Sequence, residues 1–374
     1  MDGAYVMKHR QSWVVQGLLF LHSASVWAGS PSVLHSFTFE SEHDFPVRMI
    51  RPLEVSHVTG NITIHGWSLD KVKVKVKKVV LAQNVQEAAL LEKGVHFRYS
   101  VHPKSIELAT QYGKELSIEQ RFREREAPRI SLEMEVYAPT SLNLKVLAVG
   151  GQTRLKNWSA SAEIRSHTGS IEVMNMRGDR LSTLCESCQT QIQSVRSQKV
   201  RVISREGGIV LQQVQAQDLY GETDQGKIQL FDIKGHQLYV TKSGPIEGQS
   251  LEGKVEFQGT SGGVTLKDVS GFLSGSLDSG SLNAQVREWK FMDKGVLESR
   301  TGDLELRLPV SFSGELDVWS VQGKASLDFP LERSLDSSAL GPQPLSRLRG
   351  RVREGGELLR VFSETGNIRV KKGL

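Results

Sequence analysis

The sequence predicts an all-β fold, a right-handed β-solenoid-like stack of 18–19-residue rungs with an N-terminal β-rich region that contains one short helix. Three observations predict it. A glycine recurs at near-constant spacing, apolar residues alternate with polar ones on either side of it, and the spacing leaves no room for helical crossovers of a dozen or more residues.

The recurring anchors are Gly151, Gly169, Gly207, Gly226, Gly244, Gly262, Gly280, Gly302 and Gly323, with Cys188 filling one slot. Successive differences are 18, 19, 19, 19, 18, 18, 18, 22 and 21 residues. Two residues after the anchor stand Ile171, Ile209, Ile228, Ile246, Val264, Leu282 and Leu304. Four after it stand Val173, Ile192, Leu211, Leu230, Leu266, Leu306 and Leu327, and five before it Ile164, Val202, Tyr239, Phe257, Leu297 and Val318. A spacing of two means extended strands with one buried face. The glycine between them is the turn, where a positive φ needs a residue without Cβ. Equivalent apolar positions in every unit favour a solenoid over a meander, because stacked rungs align like with like.

The flanking regions divide the rest of the chain. Residues 1–28 read as a secretory signal: Lys8, His9 and Arg10, then the apolar run Trp13–Leu21, then small residues up to Ala28, with Met7 the more natural start. Residues 33–148 form a β-rich capping region with a helix near Asn84–Lys93, and residues 149–330 hold the rungs. Residues 331–356, with Pro342 and Pro344, read as a flexible loop, and 357–374 as a final rung-like strand pair. Thr59-Gly60-Asn61-Ile62 and Thr365-Gly366-Asn367-Ile368 repeat the anchor pattern outside the main run, which adds Gly60 and Gly366 to the turn glycines. Lys71, Lys73, Lys75 and Lys77 read as the solvated face of an edge strand, kept charged against strand pairing.

Composition is globular, with 38% hydrophobic and 24% charged residues, which excludes a disordered chain. The net charge of +5 is spread along the chain and gives no nucleic-acid footprint. No later segment approaches a membrane span, so membrane contact is expected only through the signal before cleavage, and the mature protein in the periplasm, the cell envelope or outside the cell.

Several segments together resemble the putative-adhesin family of bacterial β-solenoid proteins. They are Thr59-Gly60-Asn61-Ile62-Thr63-Ile64-His65-Gly66-Trp67, Ala138-Pro139-Thr140-Ser141-Leu142-Asn143-Leu144 leading into Gly150-Gly151, and Thr301-Gly302-Asp303-Leu304-Glu305-Leu306. The resemblance covers residues 45–374, implies an exported, repetitive β protein and supplies no catalytic residues. Cys188 departs from its pattern by standing where a turn glycine is usual.

Cys185 and Cys188 are the only cysteines. A C-x-x-C pair can be a redox centre, half a zinc site or a local disulfide; with no second pair and with His167 and His236 isolated, a disulfide or inert thiols fit best. Asp224, Asp278 and Asp303 fall near equivalent turns, as catalytic carboxylates of polysaccharide-active β-helices do, but Asp beside Gly is also ordinary turn chemistry. No catalytic, cofactor-binding or metal-ligating set emerges. The expectation is a non-catalytic adhesin-like or envelope binding protein that meets a cell-surface glycan, an envelope protein or its own copies. The alternative is a polysaccharide lyase or hydrolase.

Overall fold

The computed structural model describes residues 12–14, 34–47, 51–58, 60–113, 129–290, 294–332 and 346–373. The chain divides into two compact units, Met1–Ser170 and Ile171–Leu374. Of the signal-like segment 1–28, only Ser12–Val14 is among the described residues.

Unit 1 contains β1 (Ser12–Val14), β2 (His35–Pro46), β3 (Leu53–His57), β4 (Asn61–Trp67), β5 (Lys71–Ala82), α1 (Val85–Glu92), β6 (Val95–Val101), β7 (Ile106–Tyr112), β8 (Ile130–Pro139), β9 (Leu144–Ala148), β10 (Gln152–Trp158) and the start of β11 (Ala162–Ser204). Its helix lies where the sequence places it, capped by the Asn84 side chain, which accepts from the Glu87 amide. Two rungs, β3–Gly60–β4 and β9–Gly151–β10, stack in parallel, with Leu53 opposite Leu144 and Ile62 opposite Thr153. The strands β5 to β8 lie between them in the chain but are not stacked between them. That excursion instead continues the layer on the other side of the first rung, through β7 against β3 and β8 against β4.

The lysine row corrects the sequence reading. β5 is not an edge: it pairs antiparallel with β2 on one side and β8 on the other. Its lysines face acids on both neighbours, with Lys71 on Asp44 at 2.9 Å, Lys73 on Glu42, and Lys77 on Glu133 at 3.0 Å. The row is neutralised across strands, as opposite charges on one face of a sheet should be.

Unit 2 continues β11 from Ile171, followed by β12 (Ile209–Thr223), β13 (Ile228–Thr241), β14 (Ile246–Ser261), β15 (Val264–Ser279), β16 (Leu282–Trp289), β17 (Gly295–Thr301), β18 (Leu304–Leu308), β19 (Gly314–Ser320), β20 (Ala325–Leu327), β21 (Ser346–Val352), β22 (Leu358–Ser363) and β23 (Ile368–Lys372). The long strands stack parallel and in register, with Ile209, Ile228, Ile246, Val264 and Leu282 forming one inward column. The predicted apolar positions two and four after the anchor, and five before it, are buried, except that Leu327 on the last rung is half-buried.

Stacking order and chain order part company at the C-terminal side. β22 and β23 do not follow the rung of β19 and β20; they lie between it and the rung of β17 and β18, parallel to both. The segment expected as a loop is also partly a strand: β21 pairs antiparallel with β19, placing Gly350 and Val352 inward. The remainder of that loop, 333–345, lies outside the described residues.

Each rung turns at more corners than the strand–glycine–strand reading foresees. Six residues after the anchor, Asn175, Ser194, Gln213, Asp232, Ser250 and Asp268 all adopt the left-handed conformation, with φ of 55–58°. Short polar side chains tolerate that region best, which explains the Asn and Asp but not the Gln. The anchor glycine has the predicted positive φ at Gly60, Gly151, Gly169, Gly262 and Gly280, but elsewhere it is required for a different reason. At Gly207, Gly226, Gly244, Gly302, Gly323 and Gly366 φ is not positive. A Cβ on Gly226 would instead overlap the carbonyl oxygen of Gly207, and one on Gly244 that of Gly226. Within each unit the anchor glycines form a column in which each Cα rests on the carbonyl of the rung beneath, Gly207 on that of Cys188, and a Cβ on any of these glycines would overlap backbone.

Three residues before the anchor runs a second, buried column of hydroxyls. Thr223 accepts from the amide of Gly226 at 2.9 Å and donates to the carbonyl of Gly207 at 3.1 Å. Ser363 does the same between Gly366, at 2.9 Å, and Gly302, at 3.0 Å. Ser320 does so between Gly323 and Gly366, both at 2.8 Å. Each hydroxyl thus ties its own corner to the one below while leaving no polar atom unmet.

In unit 1 the equivalent slot before Gly60 holds His57, buried at 1% exposure, with Thr110 Oγ1 3.2 Å from Nδ1. Burial pushes its pKa down to about 4.

Two predictions follow from these columns. Gly226→Ala should lose more than about 3 kcal/mol, because the methyl has nowhere to go but into backbone. Ser363→Ala, which strands an amide and a carbonyl, should lose about 1–3 kcal/mol. Denaturant melts of the two variants should rank in that order, and a wild-type-like Gly226→Ala midpoint would refute the carbonyl contact. The second prediction concerns pH. The unfolded chain protonates His57 below its ordinary 6.5 while the fold resists until about 4. Stability is therefore full above the unfolded value and falls through that window, by on the order of 3 kcal/mol. His57→Gln should flatten that part of the pH profile, as read by melting between the two values.

Candidate functional site

The cysteine pair occupies the two slots that define the corner. Cys185 stands three residues before Cys188, where other rungs carry the clamping hydroxyl, and Cys188 stands at the anchor. They are joined by a disulfide with Cα atoms 5.8 Å apart, and both are buried. The bond spans the same two positions that Thr223 and Gly226 link by hydrogen bonding. The next rung still uses this corner, since Ser204 donates to the carbonyl of Cys188 at 2.6 Å.

The turn carboxylates are engaged locally and not grouped with one another. Asp224 pairs with Lys242 at 2.8 Å and Asp278 with Arg300 at 3.2 Å, while Asp303 accepts the amide of Asn367 at 2.7 Å. His236 lies between Asp218, at 3.7 Å, and Glu256, at 2.8 Å. Burial pushes the Glu256 carboxyl up, but its bonds to His236 and Lys254 outweigh this and hold it below the usual carboxylate range. Lys234 with Glu252, at 2.8 Å, repeats the arrangement along the same rungs. On these strands the charges cancel between neighbouring rungs. Among the described residues no group of three or more His, Cys, Asp or Glu is arranged to hold a metal ion. No helix among them is long and apolar enough to cross a membrane.

The strands that follow the anchor in unit 2 present a different outer face. Their in-register rows run Gln191, Val210, Gln229, Glu247, Thr265, Asn283 and, beside it, Gln193, Gln212, Phe231, Gln249, Lys267. Amides predominate; Glu247 is neutralised by Lys227 at 2.7 Å, and Phe231 lies 40% exposed in the middle. An amide donates and accepts at once, so this face offers hydrogen bonds of both senses with little charge, Lys267 being its one uncompensated ion among the described residues. Residue identity in these rows is not dictated by packing, which is why periodicity identifies the inward columns and passes over the outward ones.

Unit 1 carries an aromatic ledge on its own outer face. Tyr137 of β8 lies opposite His65 of β4, their rings stacked at 4.8 Å, and Trp67 meets Tyr137 at 5.5 Å. Lys71 lies 5.6 Å from the Trp67 ring and Lys75 5.9 Å from that of Tyr137. Burial and the Lys156 charge hold His65 below its ordinary value, with Glu135 working against them. Burial, reinforced by Glu135, raises the Tyr137 phenol. The sequence reading missed this ledge because His65 and Trp67 of β4 meet their third ring, Tyr137, from a strand some seventy residues away.

Comparison with known proteins adds the family. The model of the family described as Toastrack DUF4097 matches residues 95–371. No curated protein matches the chain. Among solved structures, one of a putative adhesin from Bacteroides fragilis is similar over 66% of this chain and 96% of its own, at 13% identity and a TM-score of 0.38. A putative cell adhesion protein from Clostridium sporogenes is similar over 89% of this chain and 99% of its own, at 10% identity and a TM-score of 0.22. A putative lipid binding protein from Parabacteroides distasonis gives 65%, 96%, 12% and 0.37 for the same quantities. Likeness at this level says nothing of ligand or partner.

The corner geometry predicts how the cysteines can be replaced. Cys185→Ser with Cys188→Gly rebuilds the hydroxyl clamp of the other rungs and should melt within about 1 kcal/mol of wild type, whereas Cys185→Ala with Cys188→Ala, lacking both devices, should lose about 1–3 kcal/mol. Equal melting of the two double variants would show that neither link matters at this corner.

Proposed function

We propose a function for this chain from one premise: it belongs to the Toastrack DUF4097 family. The function is that of an exported, non-catalytic, adhesin-like binding protein that acts in the cell envelope or outside the cell. Its ligand is a neutral polysaccharide lying along the amide face of unit 2.

One observation carries the reading. The outward rows that follow the anchor place an amide on most rungs from Gln191 to Asn283, at the spacing of stacked strands, about 4.8 Å, with one compensated charge at Glu247 and one lysine, Lys267, at the margin. A polymer of repeating hydroxyls meets several rungs at once. Contacts that are weak singly then add through effective concentration. Phe231 supplies an apolar ring for the C–H face of a sugar. The absence of catalysis is supported by the turn carboxylates, each tied up by a neighbouring lysine, arginine or amide. Export is supported by the basic, apolar and small-residue order of residues 8–28.

The test uses protein lacking residues 1–28 and a panel of immobilised polysaccharides. Retention on a neutral glycan, reduced about tenfold by Phe231→Ala with Gln212→Glu, is the expected result. Retention that ignores those changes would remove the amide face from the proposal. New reducing ends that disappear with Asp278→Asn would overturn the non-catalytic reading and establish a hydrolase.

A further inference from the structure

The rung inserted out of order brings together side chains that no sequence window contains. Asp317 of β19 lies opposite Arg349 of β21 on one side and Arg360 of β22 on the other. Residues directly opposite in a sheet share a face, so both arginines stand beside this aspartate on one face. Yet neither neutralises it. Asp317, 2% exposed, is held instead by Arg347, whose Nε and Nη2 each lie 2.8 Å from one carboxylate oxygen. That fork satisfies the acid completely.

Asp317 therefore takes up neither of these guanidinium groups, and the nearest other acids on the face, Glu315 and Glu298, lie diagonally from Arg349 and Arg360 without an ion pair to either. Among the described residues neither Arg349 nor Arg360 has an ion-pair partner, and Arg349 Nε is buried with no hydrogen bond. Next along the same face, Trp319 and Phe362 lie opposite one another with ring centroids 5.0 Å apart, both half-buried. Arg347 covers Trp319 from the β21 side, 5.4 Å from its ring, which leaves Phe362 as the ring beside Arg360. Arginines with no ion-pair partner, one of them with a buried unmet donor, beside an aromatic ledge, form a site for a planar anion attached to an apolar ring face.

We propose that Arg349 and Arg360, with Phe362 and Trp319, bind an acidic sugar, its carboxylate forked by the guanidinium pair and its ring resting on the aromatic ledge. The site is separate from the amide face: it lies on strands that precede their anchors, whereas the amide rows follow theirs. It does not rest on the neutral-glycan reading.

The experiment titrates the protein lacking residues 1–28 with trigalacturonate, with galactotriose and with inorganic phosphate, followed by calorimetry. Trigalacturonate should bind at least about tenfold more tightly than either of the others. Arg360→Gln, at an exposed position, should weaken it about tenfold, and Arg349→Gln added to it should abolish binding, with the melting curve checked in each case. Retention on the neutral polysaccharide of the preceding subsection should not change. Should the double variant lose its fold, the Arg360→Gln result decides alone. Undiminished trigalacturonate binding by Arg360→Gln, or galactotriose binding as tightly, would overturn the site. Phosphate binding as tightly as trigalacturonate would reduce it to a bare anion site and overturn the sugar.

Discussion

The contact on which the rest of the structure depends is that of one glycine Cα against the carbonyl oxygen of the glycine beneath it. In unit 2 it repeats from Gly207 under Gly226 through Gly366 under Gly323, and in unit 1 from Gly60 under Gly151 to Gly151 under Gly169. A side chain at any of these points would hold neighbouring rungs apart at the corner while the flanking strands tried to pair at about 4.8 Å. The period of 18–19 residues follows from it, because strands stay in register only if each rung brings a glycine back to the same point. The hydroxyl column answers the polar problem that the contact creates. The corner carbonyl, covered by a Cα from above, would lack a donor if Thr223, Ser299, Ser320 or Ser363 did not supply one. The disulfide between Cys185 and Cys188 links the same two positions covalently.

Because the corner and the inward columns consume every invariant slot, chemistry is left to the outward positions, and these divide by strand. On strands before the anchor, opposite charges meet between rungs and cancel, as with Lys234 and Glu252 or His236 and Glu256. Such exposed pairs add little stability, but they keep a long face soluble without making it a general anion or cation trap. On strands after the anchor the same problem is solved with uncharged amides. Apart from the arginine cluster about Asp317, where the pairing is incomplete, it is the second face that keeps its hydrogen-bonding groups available to a ligand.

How much of this was legible in the sequence depends on whether the signal was periodic. The anchors, the buried columns at two, four and minus five, and the helix at Val85–Glu92 were all readable, because packing repeats the same residue classes at the same intervals. The left-handed corner six residues after each anchor was readable in principle from Asn157, Asn175, Asp232 and Asp268, but Ser194 and Gln213 blur the pattern. Glycine was correctly placed for an incomplete reason: close approach, not positive φ, demands it at six of the anchors, and a sequence cannot tell these apart. The lysine row was misread because alternation shows that a strand has a polar face without showing what lies across from it. The acids of β2 and β8 that neutralise it lie tens of residues away. The arginine cluster about Asp317 was beyond reach for the same reason in stronger form, since its members meet only through an insertion that breaks chain order.

That insertion occurs in both units, and edge protection explains why. An open stack ends in a strand with unpaired backbone groups, which invites a further strand from another molecule. In unit 1 the chain lays its first rung and then returns with β7 and β8 on the exposed side of it, finishing with β5 and β2 in antiparallel order. In unit 2 it lays β19 and β20, returns with β21 antiparallel on the outer side, and only then fills the vacant layer with β22 and β23. A rung at the end of a stack is held on one side only and frays. Slotted between two others, the rung of β22 and β23 is bonded on both sides. The cost is a long loop closure, which grows slowly with length. The gain is an end that presents an arginine-bearing antiparallel strand instead of a free parallel edge, and the same strand that blunts the edge carries Arg347 and Arg349 to Asp317. Capping and the proposed binding of an acidic sugar therefore draw on one device, and the second is available only because the first requires the chain to stack out of order.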